Sequence, residues 1–484
     1  MHYKQPENKN QLLLDPHMEK WVDQDSVVRL IDLIVDKFVD DNEFSWSGSS
    51  NKGCTSYSPA TMLKLLLYCY FNWIPGSRRM EKETYRNIEV MWLLGCLKPD
   101  HWTICKFRRE NKELIHNAAI SFRKFLLDNG YIEGRTITFD GSKMKAYASR
   151  DMLSEKSLSN RIFNIEQQLG KYLDNAEETD NLEEMLEDEN KEKEALKKKI
   201  VKLELEKIKL ESIKGQIEEQ GVNYLSPTDP DARLMKSRDG KIAGYNVQTG
   251  VDTKHHMIAL AEVTTDQCDI KLLKADYESL KEQLGIKPQE IVADKGYANI
   301  GQMKEISENA GTECYIPIPE TAVRQKDKEN GIEFIYNQKE DNFTCANNKK
   351  LKLVRRGEKK KDKLVDRYQC RDCDGCQIRA KCTKSKTGRI LYVNPDHQWI
   401  SDHREWINQP ENIKRVKKRK AIVEHPYGTI KMIMGKFCFL LRKKPKVQIE
   451  LDIYSTIYNL KRLINIENMQ YLLELAKNYN WKLA

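Results

Sequence analysis

The chain has 484 residues, of which 82 are Lys or Arg and 73 are Asp or Glu, so its formal net charge is +9. At roughly 150 residues per domain, this length has room for about three folded units. Hydrophobic residues make up 39% of the chain and charged residues 32%. This composition excludes a disulfide-stapled miniprotein, a collagen-like chain and a wholly disordered chain.

Neither a membrane span nor a secretion signal is predicted. The most apolar run, residues 62–75, contains Lys64 and is shorter than the roughly 20 residues that a bilayer requires. The N-terminal sequence MHYKQPENKNQLLLDP lacks the apolar segment of a signal peptide. We therefore expect a cytoplasmic protein without a membrane partner. Its twelve cysteines are then expected to be thiols or metal ligands rather than disulfides.

Residues 1–130 are predicted to form an all-α N-terminal domain. Apolar residues recur at helical spacing over 25–39, 85–94 and 103–127. Another helix is expected to begin at Ser58-Pro59, since a capping residue followed by proline is a typical helix start. Arginines and lysines on these helices are compatible with DNA binding and equally with a dimerisation unit.

The hydrophobic period changes to two at Arg135, which indicates β-strands. Strands are predicted over 135–142, 241–252, 256–264, 288–294 and 313–317, with a helix over 270–284 between them. A basic helix is predicted over 414–435, and two closing helices are predicted over 448–466 and 468–481. Residues 131–470 are therefore expected to form an α/β domain.

Two segments interrupt this α/β pattern. The first, residues 157–220, is highly charged and predicts an inserted helical hairpin. Its second half has an apolar seam that is expected to pair, within the chain, with apolar residues of its first half. The seam consists of Leu196, Leu203, Leu210 and Ile217, and the opposing residues are Ile162, Ile165 and Leu169. The second segment, residues 320–400, is polar and rich in cysteine.

The cysteine-rich segment contains four closely spaced thiols, Cys370, Cys373, Cys376 and Cys382, with Cys345 upstream. In a reducing compartment such a cluster is typical of a metal site, most simply tetrahedral Zn²⁺. An iron–sulfur cluster is the alternative, because it also uses clustered thiolates. A module without metal is the third interpretation.

Three acidic residues are candidates for a catalytic metal site. Asp140 and Asp294 each follow a short apolar strand, where open α/β sheets place their ligands, and Glu424 is the single acid in a basic helix. Three converging carboxylates suit Mg²⁺ or Mn²⁺, and two such ions can promote phosphoryl transfer. The alternative is that acids after strands are common turn formers. The chain has no phosphate-binding loop, so a nucleotide cofactor is not expected.

The segment around Glu424 is strongly basic. Residues 414–446 contain twelve Lys or Arg and one acid, which suggests a polyanionic partner. A solvated helix face is the alternative. The candidate DNA-binding residues in this segment are Lys414, Arg415, Lys417, Lys418, Arg419, Lys420 and Lys431.

Five motifs occur in an order that resembles the DDE-type transposases of bacterial insertion sequences. They are TFDGSKMKA around Asp140, SPTDPDAR at 226–233, GYNVQTGVD at 244–252, VADKGYAN around Asp294 and VEHPYGTIK at 423–431. The resemblance covers about residues 130–470, and the helical N-terminal part is also similar to the domain that precedes the catalytic domain in this family. It implies a ribonuclease-H-like mixed sheet with flanking helices.

The same resemblance implies that Asp140, Asp294 and Glu424 are the catalytic triad and that Lys431 contacts a DNA phosphate. One branch of the family has an Arg and a Tyr four and seven residues before the glutamate. Here these positions hold Lys420 and Lys417. Lysine keeps the charge at the first position but loses the bidentate phosphate contact of arginine.

The expected function is therefore metal-dependent cleavage at the ends of an insertion sequence, followed by joining of the freed 3′-OH to target DNA. Its partners would be double-stranded DNA, as terminal inverted repeats and as target, and a second copy of the chain on that DNA. It would act in a bacterial cytoplasm at the nucleoid. Two alternatives stay open, a nuclease of the same fold without strand transfer and a transposase-derived DNA-binding protein without activity.

Overall fold

The computed structural model of the protein describes residues 17–42, 57–148, 152–180, 189–237, 240–320, 322–360, 363–435 and 438–483. Its α-helices are α1 (Val27–Asp41), α2 (Pro59–Phe71), α3 (Ser77–Arg86), α4 (Ile88–Leu93), α5 (His101–Glu110), α6 (Lys112–Asp128), α7 (Glu155–Asp180), α8 (Glu189–Gln220), α9 (Leu273–Leu284), α10 (Ile300–Ala310), α11 (Ala322–Glu329), α12 (Arg379–Cys382), α13 (His397–Ile407), α14 (Pro410–Met434), α15 (Lys444–Ile464) and α16 (Met469–Asn478).

The β-strands are β1 (Thr136–Lys145), β2 (Arg233–Ser237), β3 (Gly240–Asp252), β4 (Ile258–Thr264), β5 (Glu290–Val292), β6 (Glu313–Tyr315), β7 (Phe334–Asn337), β8 (Asn342–Cys345), β9 (Lys350–Lys360), β10 (Lys363–Gln369) and β11 (Ile390–Val393). The chain divides into two compact units. Unit 1 consists of Met1–Asp269, Asp276–Lys287 and Ala421–Ala484, and unit 2 of Ile270–Ala275 and Pro288–Lys420.

The described residues of the N-terminal part are helical, as the sequence predicts. Ser58 is the N-cap of α2, since its hydroxyl accepts a hydrogen bond from the backbone N–H of Thr61 at 3.1 Å. Pro59 follows as the first helical residue, a position where a missing N–H leaves no hydrogen bond unmade.

Asparagines divide two of the predicted helices, so the prediction of single helices over 85–94 and 103–127 is wrong. Asn87 ends α3, and its side chain caps α4 by accepting a hydrogen bond from the N–H of Val90 at 3.2 Å. Asn111 separates α5 from α6 in the same region. Asparagine side chains compete for backbone hydrogen bonds, which favours helix ends over helix interiors.

Unit 1 contains an antiparallel sheet built around the long strand β3. Strand β1 pairs with one edge of β3, with Asp140 opposite Thr249. Strands β2 and β4 pair in succession with the other edge, over Gly240–Gly244 and Asn246–Val251 of β3 respectively. Every residue of β3 after Ala243 is buried, so this strand lies in the core of the unit.

Helix α15 is the central helix of unit 1. It packs against β4 and also against α2 and α6, and its Tyr454 ring contacts Tyr70 in an edge-to-face pair with centroids 5.2 Å apart. The buried carboxylate of Asp452 pairs with the buried guanidinium of Arg123 at 3.3 Å. The N-terminal helices and the sheet therefore share one core.

Helices α7 and α8 pack against each other as a hairpin in unit 1. Ile165 of α7 lies in one apolar cluster with Leu210, Ile213 and Ile217 of α8. Lys207 of α8 pairs with a glutamate of α7 at 2.7 Å. The intrachain contact that the sequence predicts is present for these residues, whereas the side chain of Leu196 lies outside the described part of the structure.

Unit 2 contains a parallel strand pair and a separate antiparallel sheet. Strands β5 and β6 pair in parallel, with Ile291 opposite Cys314. The second sheet has the order β11-β10-β9-β8-β7 and occupies much of the segment described above as polar and cysteine-rich. Its core includes Phe343, Leu351 and Tyr368. These strands were not predicted from the sequence, because the apolar residues of this segment are few and lie between many lysines.

The chain thus combines antiparallel and parallel strands with many helices, which agrees with the predicted mixed α/β class. Among the described residues, no helix is both long enough and apolar enough to span a bilayer.

Candidate active site

Asp140 lies in β1, half-buried, in the middle of the strand. The prediction that the strand ends at this acid is wrong, because β1 continues to Lys145 in register with β3. Residues on the two sides of a strand alternate, so Asp140 lies on the side opposite Phe139, which it shares with the buried Thr138. Its carboxylate therefore projects from a strand that is fixed along its whole length.

Tyr427 connects helix α14 to this strand. Its buried hydroxyl lies 2.7 Å from the backbone oxygen of Asp140 and 2.9 Å from that of Val247, and accepts a hydrogen bond from the Thr249 hydroxyl at 3.0 Å. Burial, with the nearby charge of Asp140, raises the pKa of Tyr427 well above its usual value. The phenol therefore stays protonated at any physiological pH, and its single proton can be donated to the nearer carbonyl, that of Asp140.

Glu424 lies three residues before Tyr427 on α14 and is exposed. Helical residues three apart are neighbours on one face, about 5–6 Å apart between Cβ atoms. Glu424 is therefore about one turn from the hydroxyl that is bonded to Asp140. Lys431, half-buried, lies two turns beyond Glu424 on the same helix.

Gly141, the residue after Asp140, leaves space for a polar cluster. A Cβ at this position would lie 2.6 Å from the Gln248 amide nitrogen and 2.7 Å from an oxygen of Asp269. That oxygen accepts hydrogen bonds from Lys143 at 3.0 Å, Asn246 at 2.7 Å and Gln248 at 3.0 Å. Asn246 and Gln248 of the GYNVQTGVD motif thus hold the carboxylate of Asp269 beside β1, the strand of the predicted catalytic Asp140.

Asp294 belongs to unit 2 and lies two residues after β5, as the sequence predicts. It is half-buried and caps the short 3-10 helix Lys295–Tyr297, with one carboxylate oxygen accepting the N–H of Gly296 at 2.7 Å. This cap fixes the orientation of its carboxylate. The convergence of Asp294 with Asp140 and Glu424 stays a prediction.

The basic residues of α14 differ in their surroundings. Lys414, Lys417, Lys418 and Lys420 are exposed, and Arg419 is half-buried. Arg415 is also exposed, but it pairs with Glu290 at 2.7 Å and lies over the ring of Tyr315. Much of its charge is therefore compensated within unit 2, which weakens it as a predicted DNA contact.

The five cysteines of the Cys-rich segment line one cavity in unit 2. The cavity brings Cys345 of β8 to Cys370, Cys373, Cys376 and Cys382, as the metal hypothesis requires. Their thiols are all free. Across the described residues, however, no group of three or more His, Cys, Asp or Glu side chains is arranged so that it could hold a metal ion.

The SPTDPDAR motif has a structural role that its sequence did not predict. The buried carboxylate of Asp229 accepts the hydroxyl of Tyr245 at 2.9 Å and the backbone N–H of Lys443 at 2.9 Å. Asp231 accepts the N–H of Lys444 at 2.8 Å. The motif therefore connects β3 to the start of α15, and its acids are not part of the predicted triad.

Comparison with known protein families gives two matches. Residues 344–464 match a transposase DDE domain, and residues 16–110 match a transposase domain (DUF772). The first match contains Glu424 and the five clustered cysteines. A search of curated proteins gave no match. The two family matches confirm the resemblance to the DDE transposases of insertion sequences.

Proposed function

We propose that this DDE transposase-family chain cleaves phosphodiester bonds at insertion-sequence ends and joins the freed 3′-OH to target DNA. The observation that carries the proposal is the Tyr427 hydroxyl, which fastens the helix of Glu424 to the strand of Asp140. Both family matches support it, since both are transposase domains. Asp140, Glu424 and Asp294 form the proposed triad.

The donor set suits a hard divalent cation. Carboxylate oxygens are the ligands that Mg²⁺ and Mn²⁺ prefer, and both acids of unit 1 are accessible to solvent, one exposed and one half-buried. When bound, two such ions would activate the attacking oxygen and stabilise the leaving one. We propose that the three carboxylates lie within about 4–8 Å of one another in the working enzyme, close enough to share two ions.

The remaining residues bind and position the DNA. The exposed lysines of α14 neutralise backbone phosphates, and Lys431, on the same helix as Glu424, contacts a phosphate near the reacting bond. Because such contacts release counterions, affinity falls steeply as salt rises. Tyr427 acts as a positioning residue through its bond to the strand of Asp140.

The Cys-rich module is proposed to hold a structural Zn²⁺. Its five thiols line one cavity and are the donor type that zinc prefers, although their present placement is not that of a closed metal site. Metal analysis of the purified chain should find about one zinc per molecule, and its removal should unfold the segment locally. Visible absorption would indicate an iron–sulfur cluster instead, and metal-free protein would refute both.

The central test is a reaction in vitro. The full chain is incubated with Mg²⁺, DNA that carries the inverted repeats flanking its own gene, and a target plasmid. Asp140→Ala, Asp294→Ala or Glu424→Ala should each abolish cleavage and leave DNA binding intact. Glu411→Ala, which removes an exposed acid from the first turn of the same helix, is the matched control and should cleave normally.

The products separate the alternatives. Joined strands support a transposase. Cleavage without joined strands would indicate a nuclease of the same fold. Binding of the DNA without cleavage by the wild-type chain would indicate a transposase-derived DNA-binding protein.

A further inference from the structure

Helix α8 carries a second apolar stripe that its hairpin partner does not cover. Its inner side packs on α7 through buried residues such as Leu210. Elsewhere on the helix, Val201, Leu205 and Ile208 have exposed fractions of 53%, 63% and 61%, and Leu205 and Ile208 border a groove with Leu225 and Pro227 of the same chain. Their spacing of four and three residues places them along one line of the helix surface.

The two apolar faces point in opposite directions. At about 100° per residue, Val201, Leu205 and Ile208 lie roughly 140–180° around the helix from Leu210. Helix α7 therefore cannot cover both faces at once. A row of exposed large aliphatic side chains along a helix is typical of a surface that another helix covers.

The charged residues that flank the stripe on α8 indicate which kind of helix could cover it. With Leu205 and Ile208 as the a and d positions of a heptad, Glu204 and Glu211 occupy g positions, and Lys202 and Lys209 occupy e positions. One flank of the stripe is thus acidic and the other is basic over the same length of helix.

The charges that flank the stripe are complementary to those of a second α8 helix in only one of the two possible orientations. In a parallel, in-register pair the g position of one helix faces the following e position of the other, so Glu204 meets Lys209 of the second copy, and the reverse contact forms by symmetry. In an antiparallel pair g faces g and e faces e, which brings like charges together. The pattern therefore favours a parallel pair related by a two-fold axis.

We propose that α8 pairs with α8 of a second copy of this chain, parallel and in register, through the stripe Val201–Leu205–Ile208. The seam is about two turns long, because the next residues on this face, Ser212 and Gly215, are not apolar. The contact is therefore weak by itself and strengthens when another tether holds two copies together. The proposal concerns assembly and does not depend on the chemistry of the active site.

The test uses the full chain without DNA, in sedimentation equilibrium over a wide concentration range. Leu205→Glu and Ile208→Glu should each weaken self-association by about tenfold or more, since a charge would be buried in the seam. Gln167→Glu is the matched control, because it adds the same charge at an exposed position of α7. It should leave self-association unchanged.

Charge exchange tests the orientation. Glu204→Lys or Lys209→Glu alone places like charges opposite each other twice per dimer and should weaken association. The double variant exchanges the two charges and should restore the wild-type dissociation constant to within about twofold. A double variant that is weaker than both single variants would refute the parallel register.

Two results would overturn the proposal altogether. The first is a wild-type chain that stays monomeric up to its solubility limit and behaves like Leu205→Glu. The second is a loss of thermal stability of the monomer in Leu205→Glu, because the stripe would then pack within its own chain. Failure of the active-site proposal is distinguishable, since Asp140→Ala should abolish cleavage and leave self-association unchanged.

Discussion

The bond between Tyr427 and the strand of Asp140 can be tested by removing one oxygen atom. Tyr427→Phe keeps the ring, which fills the same buried volume, and deletes the hydroxyl that bridges α14 and the sheet. The Thr249 hydroxyl then loses its acceptor, and the backbone oxygen of Asp140 loses its donor.

The size of the effect follows from these contacts. The hydroxyl has a single proton, so it donates one strong bond, at 2.7 Å to Asp140, and accepts one from Thr249. Each bond contributes about 0.5–1.5 kcal/mol net, and a buried group left without a partner costs about 1–3 kcal/mol. We expect Tyr427→Phe to lower the free energy of unfolding by about 1–3 kcal/mol. Because Glu424 is one turn away, DNA cleavage should fall about tenfold to a hundredfold.

The assay combines urea unfolding with Mg²⁺-dependent DNA nicking under conditions where each variant remains folded. Tyr454→Phe is the matched control, since it removes another buried tyrosine hydroxyl, one bonded to Glu450 at 3.2 Å and not to β1 or β3. It should lose stability and retain nicking. Equal nicking by Tyr427→Phe and wild type would refute the positioning role, and equal losses in both variants would reduce it to a general stability effect.

Two further predictions concern the surroundings of the strand. Gly141→Ala should destabilise unit 1 and reduce nicking, because the new methyl group would lie 2.6 Å from the Gln248 amide nitrogen, and thermal unfolding measures this. Asp276→Asn should stabilise the protein at neutral pH by on the order of 1 kcal/mol. Burial, with the charges of Glu262 and Asp269, raises the pKa of Asp276 well above its usual value, and one of its oxygens is buried without a hydrogen-bond partner. The wild type therefore loses stability as pH rises above the pKa of the unfolded chain, about 3.9. The difference in unfolding free energy between Asp276→Asn and wild type should therefore vanish near pH 3 and grow with pH. A difference that does not change with pH would contradict this explanation.

The elements whose patterns are strong could be predicted from the sequence. The start of α2 follows from Ser58-Pro59, and β3 and β4 follow from dense runs of β-branched and aliphatic residues. The interruptions at Asn87 and Asn111 were missed, because a helix break by one capping side chain hardly disturbs the apolar period. The sheet β7–β11 was missed for the opposite reason, since its few core residues are separated by exposed lysines.

Only part of the candidate site could be predicted from the sequence. Asp140, Asp294 and Glu424 could be proposed because carboxylates after strands and in a basic helix are chemically conspicuous. Tyr427 was part of a quoted motif, VEHPYGTIK, but its role needed the register between β1 and β3, which places the Asp140 carbonyl beside Thr249. A single tyrosine carries no sequence signal for a bond to a backbone oxygen nearly three hundred residues away.

The motifs that suggested the family therefore combine two kinds of residue. Asp140 and Glu424 are proposed catalytic residues. The contacts of Gly141, Tyr427 and Asp229 instead fix the backbone around them. The second group explains why the motifs extend beyond the acids: a carboxylate in a two-ion site must be held within a fraction of an ångström, and only packed neighbours can do that. A chain that kept the acids and changed these neighbours should still bind DNA through its exposed lysines and lose cleavage, because binding depends on surface charge and cleavage depends on geometry.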